Sequence, residues 1–370
     1  MLNIETTLLL CIFFLELRII NIFMETYFKK YKIMWLSLNL FMVTVMIVIG
    51  GITRITDSGL SMTTWNFLKG IVPPLNNEDW INLFNLYKEY PEYKLKNLGM
   101  SLSEFKKIFF WEYIHRIWGR LIGLTFFIPL IFIWLKGGFT FKEKKLIFTL
   151  SCLGFFQGFM GWYMVESGLI DKPDVSHFRL SAHLLTAFFI YSLLLYFFWT
   201  IISEKRVVSK PSKKINHHKV NFIISLILLF ITISAGAWVS GTDAGLAYNN
   251  FPLMGDNILP PILTSKDQYL LSNFLSDQGF LQFLHRVSAT VTLLYVLHTV
   301  FKAKRDGFFD DIKILFYFLT IMIVLQYTLG IIILKLYVPI YLGLMHQIGS
   351  LFMLTLIIIS ICECNKKGAL

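Results

Sequence analysis

Trp111-Glu112-Tyr113-Ile114-His115-Arg116-Ile117-Trp118-Gly119-Arg120 places a carboxylate, an imidazole and two guanidiniums at the head of an apolar run that continues to Trp134. A run of that length crosses a bilayer as a helix, because about 20 apolar residues rising about 1.5 Å each match the hydrocarbon thickness. Glu112 and His115 then lie one turn apart on one face, near the end where the helix enters the lipid. An ionisable side chain in that position costs roughly 2.5–3.5 kcal/mol on insertion scales unless a partner meets it. The rest of the chain must supply that partner.

The composition fits this reading. The 370 residues are 56% hydrophobic and 15% charged, with a positive mean hydropathy, which excludes a water-soluble globular protein and indicates several membrane spans. The net charge of +11 does not point to nucleic acid, because the basic residues sit in short loops between apolar runs, where membrane orientation accounts for them. Cys11, Cys152, Cys362 and Cys364 all lie in or beside apolar runs and read as small apolar filler.

Eight runs have the length of spans: about 33–53, 109–134, 146–165, 179–202, 220–240, 280–301, 313–334 and 340–361. The fold class is therefore an all-α integral membrane protein. Residues 1–32 form an N-terminal segment, in which Leu8 to Phe23 is apolar but interrupted by Glu16 and Arg18, and 203–219 and 362–370 form a linker and a tail. Basic clusters around Lys29–Lys32, Lys136–Lys145, Lys205–Lys219 and Lys302–Lys313 all fall on the side of the termini, which the positive-inside rule makes the cytoplasm. Glu5, Glu16 and Glu25 argue against a mitochondrial presequence. A bacterial cell membrane is expected, with the mitochondrial inner membrane as the alternative. The long outer loops, 54–108 and 241–279, have the size of lids. In the first, Trp80, Leu83, Phe84 and Tyr87 have the spacing of an amphipathic helix lying on the membrane surface, and Ser101-x-x-Glu104 reads as a capping box. In the second, Tyr269 to Phe274 suggests another surface helix.

The chain repeats itself. Asp57-Ser-Gly-Leu60 recurs as Asp243-Ala-Gly-Leu246, Pro73-Pro74 as Pro260-Pro261, and His115-Arg116 as His285-Arg286. Gln157-Gly-Phe-Met-Gly161 recurs as Gln326-Tyr-Thr-Leu-Gly330, and His183 as His346. Four spans per half in the same orientation predict two pseudo-symmetric four-helix bundles, 33–202 and 220–361, in a parallel repeat. His115, His183, His285 and His346 each lie about four to six residues inside the outer end of their span, which puts them in one layer. His115 can face His183 and His285 can face His346, as the axial ligands of haem do. Arg54, Arg116, Arg120, Arg179 and Arg286 cluster at the same end and suit haem propionates. His177, His217, His218 and His298 read as solvated or interfacial. Three residues before the repeated histidine the halves differ, with Glu112 in one and Gln282 in the other. A glutamine can orient a ligand but cannot take a proton, so the first bundle is expected to hold the substrate tetrapyrrole and the second a storage or electron-transfer haem.

Several blocks carry a family resemblance: Gly50-Gly-Ile-Thr-Arg-Ile-Thr-Asp-Ser-Gly-Leu-Ser61, Pro91-Glu-Tyr with Met100-Ser-Leu-Ser-Glu-Phe105, Glu112-Tyr-Ile-His-Arg116, Gln157 to Gly168, and Val175-Ser-His-Phe-Arg-Leu-Ser-Ala-His183. In this order they resemble haem A synthase of the alphaproteobacterial and mitochondrial type. The resemblance implies oxidation of a ring methyl of haem O to a formyl group, giving haem A for cytochrome oxidase. It implies haem-ligand roles for His115, His183, His285 and His346 and an essential acid at Glu112. Haem O would be the substrate at His115/His183 and haem b the cofactor at His285/His346. Haem O synthase is the implied upstream partner, with an electron carrier, membrane lipid and homo-oligomerisation also expected, and no nucleic acid. Some relatives carry a cysteine pair in the outer loops that relays reducing equivalents; this chain has none there. Two rivals share part of the pattern. A di-haem b-type cytochrome fed by quinol would use the four histidines but not Glu112, and a transporter would keep its polar layer at the midplane.

Overall fold

The computed structural model describes residues 4–63, 70–170, 174–203, 213–265, 267, 269–307 and 313–368, with backbone alone for 4–26, 167–170, 213–215 and 366–368. Among these residues the chain forms helices α1 (Ile4–Ile55), α2 (Asn77–Tyr87), α3 (Pro91–Leu95), α4 (Leu102–Leu135), α5 (Phe141–Ile170), α6 (His177–Ile202) and α7 (Lys213–Gly241). A 3-10 turn at Ala244–Leu246 follows, then α8 (Pro261–Thr264), α9 (Leu271–Ser276), α10 (Gln278–Arg305), α11 (Lys313–Lys335) and α12 (Ile340–Gly368), with no β-sheet. Eight of these helices, α1, α4, α5, α6, α7, α10, α11 and α12, contain a stretch long and apolar enough to cross a membrane. The segment Leu8–Phe23 is not separated from the first span, because its backbone is helical and continuous with it in α1.

Several helices begin or end outside the apolar run, where polar caps hold them. Ser101 Oγ accepts the Glu104 N–H, and the Glu104 carboxylate accepts the Ser101 N–H at 2.8 Å. This capping box starts α4 seven residues before the span predicted from hydropathy. The added turns carry Phe105, which with Phe109 at the head of the predicted span is what α2 packs on. The Trp80–Phe109, Phe84–Phe105 and Tyr87–Phe105 ring centres are 5.0, 5.1 and 5.1 Å apart. The apolar stripe of α2 therefore faces its own chain and not the lipid, as expected of a helix too short to stand alone. In the second loop the helix predicted near Tyr269 is the short α9.

The spans are arranged in two groups. α1 packs on α4 and α6, and α6 on α5; α7 packs on α10 and α12, and α12 on α11. The groups meet where α6 contacts α7 and α12 and where α1 contacts α12. Hydrogen bonds from polar side-chain groups join helices whose apolar surfaces gain little from leaving lipid. The Trp35 indole donates to Phe126 O at 3.0 Å, the Tyr191 hydroxyl pairs with Thr355 at 2.9 Å, and the Trp199 indole donates to Glu363 at 2.8 Å. Between them lies a common core that includes Leu36, Phe188, Phe197, Phe222, Leu319 and Met353. Cys362 and Cys364 are buried, whereas Cys152 is exposed on α5; the side chain of Cys11 lies outside the described residues. His218 is fully buried and pairs with Asp306 at 3.2 Å, not solvated as its loop-side position suggested.

Candidate functional site

The repeated Asp-x-Gly-Leu motif has one job in both halves. Asp57 and Asp243 adopt left-handed conformations, φ 47° and 53°, which turn the chain sharply out of α1 and α7. Non-glycine residues rarely take this conformation, and aspartate is among those that tolerate it best. The turned segments run back over the helices that carry the histidines, α4 and α10, and are held there by Glu112 and Gln282.

Glu112, 3% exposed, receives four donors. Ser61 Oγ and the Met62 N–H reach one carboxylate oxygen, each at 2.7 Å, while Arg116 Nε and Nη2 reach the other at 3.1 and 2.5 Å. Arg116 Nη2 also donates to Met62 O at 2.9 Å. In the second half Gln282 Nε2 donates to Tyr248 O at 3.1 Å and Gly245 O at 3.3 Å, and its Oε1 accepts from Arg286 Nη2 at 3.1 Å. Met62 and Tyr248 are the same position of the repeat, five residues after the aspartate. Exchanging a carboxylate for an amide thus reverses the bond: Glu112 accepts from the loop and Gln282 donates to it. Glu112 has a structural duty besides any chemical one, and a buried charge with this many charge-assisted bonds is well compensated.

The histidines sit deeper. Two imidazoles bound to one metal at about 2 Å, each nitrogen about 1 Å from its ring centre, stand with ring centres about 6 Å apart. Those of His285 and His346 are 6.5 Å apart. His285 Nδ1 donates to Thr232 O at 3.1 Å, which fixes the tautomer and leaves Nε2 with a free lone pair, the usual orientation of a metal-binding histidine. Close backbone approach makes room: a methyl added at Gly236 would lie 3.0 Å from the His285 ring, and one at Gly330 3.2 Å from the His346 ring. In the first half Gly50 stands against His115 Nε2, to which a methyl added there would lie 3.5 Å away, and Gln157 Nε2 approaches His183 Nε2 at 3.3 Å. His183 Nδ1 and His346 Nδ1 are buried without a hydrogen-bond partner. The pair in the second bundle fits a bis-imidazole iron.

The arginines are committed to protein groups more than their clustering suggested. Arg54 pairs with Asp57 at 2.7 Å and Asp243 at 3.2 Å and donates to Ser240 O, joining the two halves. Arg286 donates to Tyr248 O and Leu253 O, both at 3.0 Å. Arg179 donates to Tyr163 O at 2.8 Å, with its guanidinium 3.7 Å from the Tyr163 ring centre. Arg120 lies one turn beyond Arg116 on α4 and is half-buried. Tyr248 and Leu253 lie in the segment that leaves α7, where carbonyls have no helical donor, and the guanidinium fork of Arg286 satisfies them.

Sequence reasoning missed the groups that hold these side chains. Ser61, the Met62 N–H and Thr232 O had no signal, because a backbone group has no letter. Gly50 and Gly236 did have one, since each precedes the repeated aspartate by seven residues.

A model of the COX15-CtaA family, described as cytochrome oxidase assembly protein, matches residues 33–358. The chain belongs to this family. A relative named heme A synthase, from Nitrosospira multiformis, is 42% identical over 322 residues, covering 87% of this chain and 90% of its own. Others of that name, from Rickettsia felis and Pelagibacter ubique, are 40% and 41% identical, each covering 88% of this chain and 95% and 94% of their own.

Proposed function

We propose that this chain makes haem A for cytochrome oxidase by oxidising a ring methyl of haem O to a formyl group, as a multi-pass protein of a bacterial cell membrane. The observation that carries the reading is near-full-length similarity to relatives named heme A synthase. The chemistry is assigned to the first bundle, residues 33–202, and the cofactor to the second, residues 220–361. The basic short loops support an orientation with both termini in the cytoplasm. Haem O synthase upstream, an electron carrier and self-association are the partners this function calls for.

In the second bundle His285 and His346 would hold haem b, which when bound stores and passes single electrons. Thr232 O keeps His285 in the tautomer that binds, and Gln326, donating to His346 O at 2.7 Å, steadies the turn of α12 that carries the other ligand. In the first bundle His115 and His183 would hold the substrate, haem O. Arg116, Arg120 and Arg179 would supply positive potential for its propionates. Glu112, buried one turn before His115 on α4, is assigned the chemistry: its negative charge would stabilise cationic character at the methyl carbon or take the proton released there. Two successive hydroxylations of that methyl, each adding the oxygen of one water and releasing two protons and, to the electron carrier, two electrons, would give a gem-diol, which loses water to the aldehyde. The aromatic cluster of α2 and α4 covers the Glu112 side and keeps bulk water from it.

Two sets of variants test this. Glu112→Gln is expected to lower haem A yield at least tenfold while the haem b spectrum persists; normal yield from folded protein removes Glu112 from the chemistry. His285→Ala and His346→Ala are each expected to abolish the low-spin haem b spectrum, and an unchanged spectrum rejects the ligand assignment. Chromatography of extracted pigment for a formyl haem distinguishes the synthase from a plain cytochrome.

A further inference from the structure

Helix adjacencies repeat between the two groups with one exception. α10 and α11 pack side by side, whereas the backbones of their counterparts, α4 and α5, scarcely approach one another. The repeat explains the difference in residues. Aligned on His115/His285 and on Gln157/Gln326, Gly123 corresponds to Leu293, Gly154 to Ile323, Gly158 to Tyr327 and Arg120 to Thr290. Leu293 and Ile323 are packed in the core, and the Tyr327 hydroxyl bonds to Thr290 at 2.9 Å, stapling α11 to α10. At Gly123, Gly154 and Gly158 an added methyl would meet nothing within 4 Å. The second bundle is closed where the first is open.

The opening has a floor and a polar inner wall. Phe127 and Phe155 meet across it with ring centres 5.6 Å apart. Towards the short-loop end it continues as a groove of about 260 Å³ lined by Leu130, Trp134, Ile147, Phe148 and Ser151. On its inner side Gln157 reaches His183, and Gln157 Oε1 and His183 Nδ1 are buried without partners. The opening therefore joins the lipid to the place where the substrate ring is to be held. Haem O carries its propionates on one edge and an apolar farnesyl tail on the other side of the ring. With the propionates at the arginine-bearing end, the tail points down this cleft. From Gln157 to Ser151 is about 9 Å along the helix, and to Phe148 about 13 Å, within the reach of that tail.

We infer that the cleft between α4 and α5 is a lateral doorway, through which haem O enters from the bilayer and in which its farnesyl tail lies while the ring is oxidised. This rests on the assignment of haem O to the first bundle. A cofactor that never leaves needs a closed bundle; a substrate and product that live in lipid need an open one.

The test transplants the closed half into the open one. Gly123→Leu, Gly154→Ile and Gly158→Tyr combined, in full-length protein in vesicles supplied with haem O, are expected to cut haem A formation at least tenfold with haem b content unchanged. Wild-type turnover by the triple variant overturns the doorway. In a second experiment p-benzoylphenylalanine replaces Phe155, and the protein is irradiated with haem O or with haem B, which has the ring without the tail. A covalent adduct with haem O alone supports the doorway; equal labelling by both, or labelling of phospholipid only, overturns it. This result also decides the matter if the triple variant loses haem b. If wild-type protein forms no haem A but the haem O adduct appears, the proposed reaction fails and the doorway stands.

Discussion

Glu92 shows how much of the site depends on single buried groups. It is 4% exposed in the short helix α3, accepts the Tyr87 hydroxyl at 2.8 Å, and Tyr87 in turn accepts from Asn97 at 2.7 Å. Burial pushes its carboxyl from 4.5 up to about 8; the Tyr87 bond opposes the shift, and the charges of Glu112 and Asp57 add to it. Because the folded carboxyl titrates above its unfolded value, protonation favours the folded loop. That advantage is complete below the ordinary carboxylate range and is lost as the pH rises towards about 8. Between pH 5 and 8 the wild-type protein is expected to lose, relative to Glu92→Gln, on the order of 3 kcal/mol of loop stability. Limited proteolysis of the 70–100 loop across that range checks it, and parallel curves for the two proteins would show that Glu92 does not titrate there. Pro91-Glu-Tyr was visible in the sequence as a family motif, but the reason for the glutamate was not. Its partners Tyr87 and Asn97 are local, whereas the Glu112 charge that raises its pKa comes from another helix.

At the scale of elements, the spans were legible because lipid imposes a length and a composition on each. Their ends were not, since caps and aromatic packing set them: α4 starts at the Ser101 cap and not at the first apolar run. α2 was legible as an amphipathic helix, but a stripe does not state what it covers, and it covers α4. Phe105 is the centre of that contact, fully buried among Trp80, Phe84, Tyr87 and Phe109. Phe105→Ala is expected to cost about 3–5 kcal/mol, as large-to-small changes in cores do. Met62 lies in the same cluster and its N–H holds Glu112, so haem A formation should fall while haem b in the other bundle is retained. Hydrogen exchange in α2 reports the loss directly; protection equal to wild type would show that α2 is held by something else.

Across the whole molecule, the repeat was readable from paired motifs, and the way its halves meet was not, because the contact uses residues outside those motifs. α12 lies against α1, where Gln347 Nε2 donates to Ile47 O at 2.8 Å, one residue after His346, the proposed ligand. Gly51 allows this approach: a methyl there would lie 2.6 Å from Gln347 Oε1 and 3.1 Å from Leu344. The glutamine is a flexible side chain, but to move aside it must give up its bond to Ile47 O and leave a buried carbonyl less well satisfied. Arg54 bridges the same halves at the surface, yet its carboxylate partners are more than half exposed, and such pairs contribute roughly 0–1 kcal/mol. The buried contact should therefore outweigh the visible ion pairs. Gly51→Ala is expected to lower stability by about 1–3 kcal/mol and to shift the haem b potential through the displaced turn of α12, whereas Arg54→Ala should leave that potential unchanged. Thermal unfolding and redox titration of the two variants compare them, and a larger loss from Arg54→Ala would mean that the halves are held by charge at the surface and not by packing beside His346.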